Sequence, residues 1–199
     1  MRSARPTRVP VPADVRAMYG PRPDERFPIP AADIGSVPPQ FWRKRVDNPT
    51  GEAPGTIVVD TGAYYLYFTE AGGTAMRYGV GLGRQGFGWD GNARIPFKRE
   101  WPTWTPPAEM IARDPSLAKY AEGMEPGLDN PLGARALYLY QGKVDTLYRL
   151  HGTMEAQSIG HAVSSGCVRL LNQDVIDLYE RVPNGTRVVV RPPSAPRLV

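Results

Sequence analysis

The chain holds a single cysteine, Cys167, within Ser164-Ser165-Gly166-Cys167-Val168-Arg169. A histidine, His151, stands sixteen residues upstream in His151-Gly152-Thr153. A lone thiol has no internal disulfide to form, so structure alone assigns it no role. Thiolate is the reactive form of cysteine, and an imidazole is the usual group that generates it. Small residues before the cysteine (Ser164, Ser165 and Gly166) would let a carbonyl approach closely, with backbone N–H groups directed at a developing oxyanion. The expected chemistry is acyl transfer through a cysteine nucleophile.

Two other readings of these residues are weaker. His151, His161 and Cys167 are possible zinc ligands by type, but the spacings of structural and catalytic zinc sites are missing, so no metal is expected. Gly79-Val80-Gly81-Leu82-Gly83-Arg84 has the glycines of a phosphate loop without the dinucleotide spacing or a following helix. A strand packed tightly against other backbone is the better expectation there. Nothing in the chain implies a cofactor.

The elements that must position these residues are mostly β. Ile57-Val58-Val59, Tyr64–Thr69 and Met76–Leu82 are short β-branched or aromatic runs separated by Thr61-Gly62-Ala63 and Ala71-Gly72-Gly73, the pattern of a meander. Arg135–Tyr140 and Val144–Leu150 form a second pair across Gln141-Gly142-Lys143, and Thr186–Arg191 is a final strand. One clear helix is predicted, Gln173–Val182, with Asn172 as N-cap and Pro183-Asn184-Gly185 as its stop. Residues 1–54 are rich in proline and lack periodicity, which predicts a partly ordered N-terminal arm with a helical turn near Asp14–Tyr19. Residues 55–192 are then one domain, and 193–199 a C-terminal tail. Phe87–Leu132 is a long insertion containing a short helix at Ala108–Arg113. It is either a lid, with Trp101 and Trp104 against a substrate, or a structural flap whose aromatics bury its own proline turns.

Composition excludes little more. The 199 residues are 41% hydrophobic, enough for one core, and contain 22 prolines and 21 glycines, which implies shaped loops rather than a helical bundle. The excess of four basic over acidic residues, with a pI near 9.3, favours anionic partners without pointing to nucleic acid. No run approaches the roughly 18 apolar residues of a membrane span. Pro6, Pro10 and Pro12 stand where an export signal would be apolar.

His151-Gly152-Thr153, Ile159-Gly160, Ser164–Leu170 and Asn172–Asp174 together resemble the active-site signature of L,D-transpeptidases of the YkuD type. The resemblance extends to Ile57–Asp60, Gly79–Arg84 and Asn130-Pro131-Leu132-Gly133, covering roughly residues 55–191. It implies a β-sandwich-like catalytic domain with one main helix after the nucleophile. It further implies Cys167 as nucleophile, His151 as base and the Gly152 carbonyl as the group holding the imidazole. The amides of Gly166 and Cys167 would be oxyanion donors, and Arg169 the grip on a substrate carboxylate. The partners implied are peptidoglycan stem peptides, with carbapenem-type inhibitors, in the periplasm or cell envelope. The family most often has histidine where this chain has Ser165, which can exchange hydrogen bonds but not titrate near neutrality. Cross-linking is the expected outcome. The competing outcomes are hydrolysis or carboxypeptidase action, D-amino-acid exchange, and a wall-binding module without activity.

Overall fold

The computed structural model describes residues 9–83, 91–164 and 167–193. The meander forms where β-branched and aromatic runs predict it: β2 (Ile57–Asp60), β3 (Tyr65–Thr69) and β4 (Thr74–Gly79) pair antiparallel in sequence. Gly72 and Gly73 make the β3–β4 turn at φ of 79° and 76°, a conformation nearly free of cost only for glycine. An edge strand, β1 (Lys44–Asp47), pairs with β4.

β12 (Arg187–Arg191) runs parallel to β2 and antiparallel to β6 (Gly91–Arg94). From there the sheet continues through β8 (Arg135–Gln141), β9 (Val144–Thr153) and β11 (Val168–Leu171). β7 (Lys98–Glu100) joins by pairing with β8, which makes ten strands among the described residues. Hydrogen bonding is therefore continuous from β1 to β11. Yet Ile57, Leu66 and Tyr78 from one end share a single buried cluster with Leu137, Leu150 and Leu170 from the other. A twisted sheet that folds over a common core behaves as a sandwich. A separate parallel pair, β5 (Leu82–Gly83) with β10 (Ala162–Ser164), lies beside it.

The main helix, α3 (Asn172–Arg181), buries Val175 and Leu178 against the sheet, as its apolar spacing predicts. Lys98 donates from Nζ to the carbonyls of Tyr179 and Val182, the latter at 2.7 Å, placing a cation on the acceptor-rich end of the helix. Asn172 is not the N-cap. It is the first helical residue, and its side chain turns back towards β8. Two short helices, α1 (Ala13–Met18) and α2 (Ala108–Arg113), fall at the predicted places.

Two expectations need correction. Residues 9–54 do not trail from the domain. Tyr19, Ile29, Ile34 and Val37 are buried, and Glu25 makes a two-pronged ion pair with Arg135 on β8 at 2.7 and 2.9 Å. These contacts are made singly, at turns between prolines, so they leave no periodic trace in the sequence. The insertion is also shorter than Phe87–Leu132, because β6 and β7 lie inside it as sheet strands. The residues Gly91-Asn92-Ala93-Arg94 have little strand propensity, and their pairing with β12 imposes the conformation.

Candidate active site

The site forms where β9 ends beside β11. The two strands are parallel, with Val168 opposite Leu150, Arg169 opposite His151 and Leu170 opposite Gly152. Strand side chains alternate faces. Leu150 and Leu170 enter the core beneath α3, so Arg149, His151 and Arg169 share the opposite face. Cys167 immediately precedes β11, two residues before Arg169, and the same alternation brings it to that face.

His151 is buried at 4% exposure, and its Nδ1 lies 2.9 Å from the Gly152 carbonyl oxygen. A carbonyl only accepts, so this contact assigns the proton to Nδ1 and leaves Nε2 with the lone pair. Burial pushes the imidazole pKa down to about 4, the Gly152 carbonyl partly offsets this, and the nearby Arg169 and Arg149 charges push the same way as burial. The ring is therefore neutral at neutral pH, with the Nε2 lone pair free. Cys167 is partly exposed as a residue, but burial raises its thiol pKa, with Arg149 and Arg169 opposing. The resting pair is thiol and neutral imidazole; the lone pair on Nε2 can accept a proton, and transfer from sulfur becomes favourable only as burial is relieved or charge develops on a bound acyl group.

Gly152 is held in a tight knot. A Cβ on it would lie 2.1 Å from Asn172 Oδ1 and 3.1 Å from both the Ala134 nitrogen and Val175 Cγ1. Asn172 is itself buried: the Ala134 N–H donates to its Oδ1 at 2.9 Å, and its Nδ2 reaches Met154 Sδ at 3.1 Å. Gly133, at φ 63°, fits under the same oxygen and against the Gly152 carbonyl group. Gly152 N–H donates to the Leu132 carbonyl at 3.0 Å. Asn130 fixes that loop by donating to the carbonyls of Pro102, Met124 and Glu125 and accepting from Leu132 N–H.

β9 is irregular just before the site. Tyr138 opposes Arg149 while Tyr140 opposes Asp145, so β9 bulges between them. Leu147 there has φ 63°, rare for a residue other than glycine. The Asp145 carboxylate accepts from its N–H at 2.8 Å, and its carbonyl accepts from Cys167 Sγ at 3.9 Å. Asp145 also forks Arg149 at 2.6 and 2.7 Å, holding that cation beside the sulfur. Strain of this kind gathers where a functional group must be aimed.

Comparison with known proteins identifies the architecture. The family model for the YkuD L,D-transpeptidase catalytic domain matches residues 54–190. The chain belongs to the YkuD family. One relative, the probable L,D-transpeptidase YbiS of Escherichia coli K12, is 38% identical over 138 residues, covering 66% of this chain and 43% of YbiS. This chain therefore spans less than half the length of that YkuD-family relative. A putative L,D-transpeptidase of Fuscovulum blasticum, from its ATP synthase subunits region, is 33% identical across 75% of this chain and 74% of its own length. Among solved structures, a Brucella melitensis protein named a probable carnitine operon oxidoreductase is 49% identical, with a TM-score of 0.55 over 78% of this chain and 97% of its own. An Enterococcus faecium L,D-transpeptidase shares the fold at 15% identity and a TM-score of 0.50, over 70% of this chain and 50% of its own.

Within this YkuD domain the predicted site residues separate. His151, Gly152 and Arg169 adjoin across β9 and β11, and Cys167 stands two residues before Arg169. Arg169 is ion-paired with Glu155, Nη1 to Oε2, at 2.7 Å. Ser164 ends β10 opposite Gly83, whereas Ser165 and Gly166 lie outside the described residues. Trp101 is not on a substrate wall. It is 4% exposed, packs edge-on against Phe27 at 4.9 Å and donates its indole N–H to Glu25 at 2.9 Å. Its burial against the arm is what a sequence cannot separate from a lid aromatic. Trp104 is half-buried, pairs by its backbone with Met124 and sits 6.3 Å from Tyr120. His161 is exposed. Of the glycines in Gly79–Arg84, Gly79 and Gly81 serve close packing: Cβ atoms on them would lie 2.4 and 2.5 Å from the carbonyls of Phe41 and Ser158. Asn172, Glu155 and the Leu147 bulge received no site role from the sequence, although Asn172 belongs to the family signature. Among the described residues no three His, Cys, Asp or Glu side chains are grouped to hold a metal, and no helix is long and apolar enough to cross a membrane.

Proposed function

We propose that this domain is a peptidoglycan L,D-transpeptidase working through a cysteine thioester. His151 Nε2 takes the proton from Cys167 Sγ as sulfur attacks the carbonyl of an L-centre–D-centre peptide bond in a stem peptide. The backbone amides of Gly166 and Cys167 receive the oxyanion. The C–N bond breaks, the imidazolium returns its proton to the departing amine, and an acyl-thioester remains. The amine of a second stem then attacks, loses its proton to His151 and displaces the thiolate, which is reprotonated. One histidine serves both halves by moving its proton in opposite directions. Arg169 grips a carboxylate of the donor. The Gly152 carbonyl performs the orienting work that a side-chain acid performs in a triad.

The observation that carries this reading is the buried neutral His151, fixed through Nδ1, on the same face as Cys167 at adjoining strand ends. The relatives named as L,D-transpeptidases support the reaction class. Such a substrate lies in the cell envelope, so the enzyme is assigned there, and carbapenems are its expected acylating inhibitors. The test is intact-mass detection of one carbapenem adduct, absent in Cys167→Ala. His151→Ala should lose acylation by at least a hundredfold while His161→Ala keeps it. Loss in His161→Ala with retention in His151→Ala would overturn the assignment. Products from purified stem peptides then separate cross-linking from hydrolysis, D-amino-acid exchange and mere wall binding.

A further inference from the structure

We propose that Glu155 is a specificity-determining residue: its carboxylate occupies Arg169 in the resting site and is displaced by the carboxylate of the incoming peptide. The inference rests on the reading of Arg169 as the carboxylate grip. The two partners are held unequally. Arg169 has only a fifth of its side chain exposed, whereas Glu155 has 69%. The Arg169 backbone is tied on both sides, exchanging 2.9 Å hydrogen bonds with Gly81 and pairing with His151 across the strands. The Glu155 backbone is also tied: its N–H donates to Thr153 Oγ1 at 3.0 Å, and its carbonyl accepts from Ser158 Oγ at 2.7 Å. Only the Glu155 side chain needs to move, and at 69% exposure its released carboxylate can turn into water.

The chemistry of the contact makes exchange easy. Glu155 touches the guanidinium at Nη1 alone, whereas a carboxylate arriving along the plane of the guanidinium can engage two of its N–H groups at once. An ion pair open to water on its carboxylate side is weak and salt-sensitive, equivalent to roughly a two- to fivefold handicap on a competing carboxylate. Glu155 therefore raises the threshold for occupying Arg169 without closing it. Ligands that present a single weak acceptor lose to Glu155, and those that present a free carboxylate displace it.

The experiment measures binding without turnover, in the Cys167→Ala background, by calorimetry. The probes are a stem tetrapeptide with a free C-terminal carboxylate and the same peptide as its C-terminal amide. Adding Glu155→Gln, which keeps the backbone contacts, should tighten the carboxylate peptide two- to fivefold and leave the amide unchanged. The difference should shrink as salt rises from about 0.05 to 0.5 M. Equal tightening of both peptides, or no change in either, overturns the role of Glu155. Carbapenem acylation of the Cys167-containing protein, measured in parallel, reports on the thioester reading: an adduct together with an unchanged peptide affinity fails Glu155 alone.

Discussion

Gly152→Ala tests the knot that fixes the His151 imidazole. The added methyl would sit 2.1 Å from Asn172 Oδ1, well inside contact distance, and 3.1 Å from Ala134 N and Val175 Cγ1. Backbone cannot yield at a strand paired on both sides, so the Asn172 side chain must. Moving it strips the Ala134 N–H of its acceptor in a dry interior, at about 1–3 kcal/mol, on top of about 1–3 kcal/mol for overpacking. A loss near 3 kcal/mol corresponds to a fall of roughly 6–12 °C in Tm for a domain of this size. Acylation should slow as well, because displacing Asn172 loosens the packing around Gly133 and Gly152, whose carbonyl holds Nδ1. Differential scanning calorimetry and carbapenem acylation rates give the two readouts. The double variant Gly152→Ala/Asn172→Ala removes the colliding atom, so its destabilisation should fall short of the sum by about 1 kcal/mol or more. A Tm within about 1 °C of the parent for Gly152→Ala, or strict additivity in the double variant, would refute the reasoning.

Two further outcomes follow from the buried charges. His151 titrates near 4 when folded and near 6.5 when unfolded, so between those values the unfolded chain binds more protons and stability falls as pH drops, by up to roughly 3 kcal/mol. Asp174 is raised by burial from 3.8 to about 7, so it acts oppositely over the same window, costing stability as pH rises. Denaturant melts of Asp174→Asn between pH 5 and 6.5 should therefore rise more steeply with pH than those of the parent; parallel profiles would contradict the opposition. Glu25→Ala should cost about 2–4 kcal/mol, because it leaves the Arg135 guanidinium and the Trp101 indole N–H buried without their acceptor. Urea unfolding measures this, and a change below about 0.5 kcal/mol would show that the pair is replaceable by water.

The meander and the closing strand were readable because Ile57–Val59, Tyr64–Thr69 and Thr186–Arg191 combine β-branched or aromatic residues with flanking turn signals. β6 was not, since its pairing with β12 overrides the weak preferences of Gly91 and Asn92. Cys167 and His151 stood out through chemistry and motif together. Asn172 was legible as a cap by type, but its side chain serves a tertiary contact that no local pattern encodes. Trp101 carried the composition of a binding wall and the fate of a core residue, because its partners Glu25 and Phe27 lie far away in sequence. Glu155 is an ordinary exposed acid until Arg169 is placed against it.

The buried residues Tyr19, Ile34 and Val37 share a cluster with Leu171 and with Ala156 and Ile159, the last two on the stretch leading from the histidine to the cysteine. Whoever trims this polypeptide at the family boundary near residue 54 would thus strip the lining from the span that bears Glu155, leaving bare greasy surface prone to clumping. For recombinant work, residues 9–54 belong with the YkuD domain and should be kept.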